Sequence, residues 1–150
     1  MRTYLVVIDE TEEASIALRF ASRRAMKTNG ALHILALVEK EDFVAWGGVQ
    51  ATLEEEAKNR AEALVSSAAG SLFDETGIRP SITVKSSRGP KTVRKVLDEV
   101  DGLGALVLGS AANGAPGPLV THFAAEAGSL PCPVMVVPGS LSKEDIDRLS

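Results

Sequence analysis

The stretch "LVLGSAANGAPGPLVTHF", residues 106–123, decides how the rest of the chain is read. It runs from a branched apolar strand into a loop rich in glycine and proline, and on into a helix. Branched apolar runs without clean alternation are the mark of parallel strands covered on both faces. Glycines in such a loop let the backbone approach a ligand and take positive φ, and the next helix offers free N–H groups to an anion. The same composition also serves a plain strand-to-helix turn, and Pro116 and Pro118 each remove a donor. On spacing alone both readings stand: a phosphate loop, or a corner.

The pattern around that stretch recurs along the chain. "TYLVVID" (residues 3–9), "LHILALV" (32–38), "ALVLG" (105–109) and "PVMVV" (133–137) read as strands buried on both faces. "SITVKSS" (81–87) alternates, with Ile82 and Val84 on one side, and reads as a strand nearer an edge. Between the strands lie helical patterns. Thr11 is placed to cap the first, Glu12 and Glu13 suit its positive end, Ala14, Ala17, Leu18, Ala21 and Ala25 form its stripe, and Asn29-Gly30 ends it. Thr52 and Glu55 form a capping box for the second, with Leu53, Ala57, Ala61, Leu64 and Ala68 inward and a stop near Gly77. The third opens at Gly89-Pro90 and buries Val93, Val96, Leu97 and Val100. Pro118 opens the fourth, with Val120, Phe123, Ala124 and Ala127 inward.

The resulting order, βαβαβαβαβ, implies parallel strands, right-handed crossovers and helices on both faces: a doubly wound α/β domain. It occupies residues 1–140. The remaining residues, 141–150, read as a short amphipathic tail helix capped by Ser142, with Asp145 three residues on, expected to bury little by itself.

Composition narrows the function classes. With 150 residues and 45% apolar content the chain is one domain with a real core, and with only 4% aromatics that core rests on Val, Leu, Ile and Ala. A net charge of −4 with scattered Lys and Arg argues against nucleic acid. The first apolar stretch is short and ends in acids, so neither an export signal nor a membrane span is expected, and the expected location is cytoplasmic. One cysteine, Cys132, excludes an internal disulfide and cannot build a structural zinc site.

In a doubly wound sheet the ligand crevice lies at the carboxyl ends of the strands where strand order reverses. If strands one and four flank that point, Asp9 meets Gly109-Ser110 there. Asp9 can accept hydrogen bonds from a ribose diol, and Thr121 in the following helix can add a hydroxyl. Neither the Rossmann glycine fingerprint nor the P-loop occurs, and Ser86-Ser87 stand where a response-regulator receiver needs an Asp. His33 lies inside an apolar strand and reads as structural; His122 reads as a surface residue of the fourth helix. Cys132, between Pro131 and Pro133, reads as a packing thiol. No nucleophile–base set or metal cluster emerges, so binding is expected rather than catalysis. Trp46, in "EDFVAWGGVQ" (41–50), reads as a loop anchor or as a flap or partner contact. The last strand is apolar on both faces, and at a sheet edge it would need covering.

With these residues placed, almost the whole chain resembles the universal stress proteins. "YLVVIDETEEASIALRFASRRA" resembles that family's first strand and helix, "ALHILALVE" its second strand, and "ALVLGS" with "LPCPVMVVPG" its carboxyl-terminal signature. The resemblance implies a five-stranded sheet of order 3-2-1-4-5, of the adenine nucleotide alpha hydrolase-like kind. It also implies a homodimer joined through the last strand, from Pro133 to Val137. Some members bind ATP and others do not. By this resemblance Asp9 would hold a ribose, Val7 and Val38 would line an adenine, and Gly109, Ser110, Gly114, Gly117 and Thr121 would meet phosphates. The family's phosphate pattern departs here: its second glycine falls on Ala112 and its third on Val120. The implied ligand is ATP or AMP, with magnesium only as a companion of ATP and at most weak ATP hydrolysis. The implied role is a nucleotide-binding stress sensor; the competing reading is a nucleotide-free dimeric interaction protein with a degenerate phosphate loop.

Overall fold

The computed structural model describes residues 1–38, 49–86 and 89–150, with only the backbone described for 49–53. Trp46, Ser87 and the Leu53 side chain therefore lie outside the described residues. Five strands form one sheet: β1 (Thr3–Ile8), β2 (Ala31–Leu37), β3 (Ser81–Lys85), β4 (Leu103–Ser110) and β5 (Val134–Pro138). Their order is β3-β2-β1-β4-β5 and every pairing is parallel. The expected order and fold class stand.

Alternation within each strand divides the core. Tyr4, Val6 and Ile8 of β1 join Ile34 and Ala36 of β2 beneath α1 (Glu12–Lys27), α2 (Val49–Ala69) and α3 (Leu72–Thr76). Leu5 and Val7 face the other way with Leu106 and Leu108, beneath α4 (Pro90–Glu99) and α5 (Pro118–Glu126). One strand thus feeds two cores, which is why its sequence reads as unbroken apolar rather than alternating. The stripe Ala14, Ala17, Leu18, Ala21 and Ala25 of α1 is buried throughout. The helix ends where expected: Asn29 takes φ 55°, and the Gly30 amide donates to the Ala25 carbonyl at 2.8 Å.

Several local expectations need correction. The second helix is already formed at Val49, so Thr52 stands within it and not at its cap. It also stops at Ala69, because Gly70 takes φ 52°; the separate turn of α3 then ends at Gly77. Its buried line is Ala61, Val65 and Ala69, spaced by four, with Ala57, Leu64 and Ala68 half-buried beside it. In α5 only Val120 and Phe123 are buried; Ala124 is exposed within the helix, and Ala127, also exposed, lies beyond its end at Glu126. Alanine at helical spacing says little about direction, since it is common both inside and out.

The tail is the largest departure. Ser142 caps it as expected, accepting from the Asp145 amide at 3.1 Å. The helix α6 (Lys143–Leu149) then lies on α1. Ile146 is 1% exposed, and Asp147 receives Arg19 through two hydrogen bonds of 2.8 Å, with Arg23 at 3.0 Å. Lys27 donates to the Asp147 carbonyl and to the Ser150 hydroxyl. The Arg19 bonds hold the Asp147 carboxyl below the usual carboxylate range. The signal for this docking was in α1: Arg19, Arg23 and Lys27 recur every fourth residue and form one basic line.

Candidate functional site

The carboxyl ends of β1 and β4 open on a small cavity, about 60 Å³, at the reversal of strand order. Val7 and Asp9 approach it from β1, Gly109 from β4, Glu13 and Ala14 from the start of α1, and Pro116 to Val120 from the loop and first turn of α5. Of the expected site residues, Val7, Asp9, Gly109 and Gly117 therefore meet in one place. Val38, Ser110, Gly114 and Thr121 do not line it. Val38 is buried in the core on the α1 side, and Thr121 is exposed.

Asp9 is half-buried, and one of its oxygens is already engaged. Oδ1 accepts from the Thr11 amide at 3.0 Å and from the Thr11 hydroxyl. Thr11 stands at the cap position of α1 but turns its side chain back to Asp9 instead of capping. This pair fixes the carboxylate and leaves Oδ2 without a partner among the described residues, open to a donor such as a sugar hydroxyl. Beside it, Arg60 of α2 pairs with Glu10 at 2.9 Å.

The loop answers its two readings in different ways at different glycines. Gly109 is required by packing: a Cβ there would lie 2.9 Å from the carbonyl carbon of Glu13 and closer still to its oxygen. Gly117 is required by conformation, with φ 117° and open space around it. The loop closes on itself through the Ala111 amide and the Pro116 carbonyl at 3.1 Å. The α5 helix then begins at Pro118, and its first main-chain bond runs from the Thr121 amide to the Gly117 carbonyl at 3.1 Å. The amides of Gly117, Leu119 and Val120 find no acceptor among the described residues, and all three residues line the cavity. Such a cluster at a helix start favours an anion.

The residues 1–138 match the model of the universal stress protein family. The chain belongs to that family. No curated protein matches it. Among solved structures, a universal stress protein from Archaeoglobus fulgidus aligns with TM-score 0.64 at 18% identity, over 91% of this chain and 93% of that one. The structure of the universal stress protein from Archaeoglobus fulgidus in complex with dAMP aligns with TM-score 0.56 at 18% identity, over 91% and 97%. A universal stress protein in complex with cAMP aligns with TM-score 0.55 at 17% identity, over 93% and 98%. At these identities the likeness is one of fold.

Within the family fold, the other titratable candidates have structural roles. His33 on β2 bonds through Nε2 to the Thr83 hydroxyl at 2.7 Å, and burial holds its pKa below the usual imidazole range. His122 pairs with Glu126 at 3.1 Å and sets its ring edge-on to Phe123. Cys132 is buried, and that burial pushes its thiol up, away from the reactive thiolate. No group of three metal-ligating side chains occurs among the described residues, and none of their helices is long and apolar enough to cross a membrane.

Proposed function

We propose that this universal stress protein binds an adenine nucleotide at the β1–β4 crevice and serves as a nucleotide-responsive stress sensor. The observation that carries the reading is the pairing of two unlike groups at one cavity. Asp9 offers a fixed, unpartnered carboxylate oxygen, and the start of α5 offers three unpartnered amides. A ribose hydroxyl fits the first and a phosphate the second. Val7 supplies the apolar wall beside them. Relatives of the same fold crystallised with dAMP and with cAMP support an adenine ligand.

The charges favour one phosphate over three. Asp9 and Glu13 line the cavity, and no Lys or Arg does so among the described residues. Each added phosphate would enter beside these carboxylates without a cation to balance it. The cavity is also small and open to solvent, and in this reading the phosphate seats at α5 while the nucleoside extends outward past Asp9. AMP is therefore the proposed ligand, with ATP weaker.

Calorimetric titration of the purified protein with AMP, ADP and ATP tests this. AMP is expected to bind tightest, and Asp9→Ala to weaken it by about 1–3 kcal/mol through loss of a partly buried hydrogen bond. Asp9→Asn, which keeps an oxygen for Thr11, separates the ribose contact from the turn. No heat with any nucleotide, and none released on denaturing the protein, would sink the proposal in favour of a nucleotide-free interaction protein.

The same reading includes a homodimer through β5. That strand is an edge, and Val136 on it is 43% exposed. Pairing with its mate across a two-fold axis would cover both the side chain and the open backbone. Val136→Asp is expected to shift the protein from dimer to monomer in light-scattering mass measurements; a wild-type monomer refutes it.

A further inference from the structure

The match to the family ends at residue 138, and the helix α6 lies beyond it. Seven residues do not hold a helix in water on their own, so α6 is helical only while it rests on α1. Its grip has an apolar part in Ile146 and an ionic part in Asp147, clasped by Arg19 and Arg23. Docked and released are thus two discrete states of one segment.

The connector to α6 crosses the crevice loop. Residues 139–141 alone separate the end of β5 from the cap residue Ser142. Within them, the Gly139 amide donates to the Ser110 carbonyl at 2.8 Å. A Cβ on Gly139 would lie 3.1 Å from the Ala112 nitrogen and 3.4 Å from Glu13 Cβ. Ser110 and Ala112 open the loop that leads to Gly117, and Glu13 lines the cavity. A short span anchored in the sheet at one end and on α1 at the other is pressed onto both walls of the crevice.

We infer that α6 is a regulatory clasp: its docking on α1 holds the loop of residues 110–117 and the start of α1 in the nucleotide-binding arrangement, and its release loosens both. The inference rests on the crevice being the nucleotide site. Any condition or partner that competes for the Arg19–Arg23–Lys27 line would then lower nucleotide affinity from outside the crevice. Coupling of this kind is reciprocal, so bound nucleotide must in turn favour docked α6.

Hydrogen exchange on the full chain, with and without AMP, tests the clasp in wild type, Asp147→Ala and the milder Asp147→Asn. Asp147→Ala is expected to speed exchange at 143–149 and also at 110–117, to leave β2 protected, and to weaken AMP about 5-fold or more. Asp147→Asn should show the same changes at smaller size, and AMP should slow exchange at 143–149 in wild type. Faster exchange at 143–149 with no change at 110–117 and unchanged AMP affinity would overturn the clasp. If wild type binds no AMP, the nucleotide reading fails, and exchange at 110–117 decides the clasp by itself. Should Asp147→Ala not fold, Asp147→Asn carries the same comparison.

Discussion

Phe123→Ala is expected to destabilise the protein by about 3–5 kcal/mol, the largest loss of any single truncation considered. Phe123 is completely buried and is the largest such side chain in the described molecule. It anchors α5 against the core that contains Leu106, Leu108 and Val93. With few aromatics in the chain, the hole left by this ring would be lined by branched aliphatics already fixed in two sheet-facing layers. For a chain of this length the loss corresponds to a fall in Tm of roughly 6–20 °C. Nucleotide affinity should fall as well, because Phe123 sits one turn behind the α5 residues that line the cavity. Differential scanning calorimetry alongside AMP titration measures both. A Tm within a few degrees of wild type would show that α5 is not fixed by this ring.

Gly109→Val is expected to be nearly as damaging, by a different route. The missing side chain of Gly109 is occupied by the Glu13 backbone, which belongs to the first turn of α1 and cannot turn aside like a flexible side chain. Inserting a branched side chain forces α1 away from β4, an overpacking loss of about 3 kcal/mol or more. Gly109→Ala should lie in the same direction and be smaller. Gly117→Ala is the informative contrast, since space is open there and only the backbone angle objects. Denaturant midpoints for the three variants should rank Gly109→Val lowest. A stable Gly109→Val protein would mean that α1 starts elsewhere than Glu12.

The fold was legible because its strands are. Unbroken apolar runs at Leu5–Val6–Val7 and Leu106–Val107–Leu108 announce strands with two buried faces, and the alternation of Ile82 and Val84 announced the half-exposed edge strand β3. Sheet order came from family resemblance, because pairing between distant strands leaves no local trace. The site was legible where backbone geometry defines it. Asp9 follows β1 and Gly109 nearly ends β4, so topology alone brings them together. It was not legible where a side chain's direction matters. Thr121 was placed by motif spacing, yet α5 starts at Pro118 and turns that hydroxyl to solvent. Gly109 drew a ligand-approach reading, whereas a neighbouring helix occupies the space, a contact between segments about a hundred residues apart in the chain. The tail's docking failed for the opposite reason. The helix itself was legible from its Ser142 cap and amphipathic pattern, but its partner line was written in α1 as charge rather than as apolar surface.

Strand order carries a consequence for the order of events during synthesis. The central strand β1 is made first, and it meets β2 after some thirty residues, Thr3 opposite Ala31. Its other flank waits for β4, where Tyr4 lies opposite Ala105. Translation at roughly 5–20 residues per second leaves that flank bare for on the order of 3–15 seconds after β2 is complete. During that interval the nascent chain carries an open apolar ribbon in the middle of its future sheet. The half built from β1, β2 and β3 is therefore a natural client for chaperones, and a ribosome stalled before residue 103 would release a chain that cannot close its core.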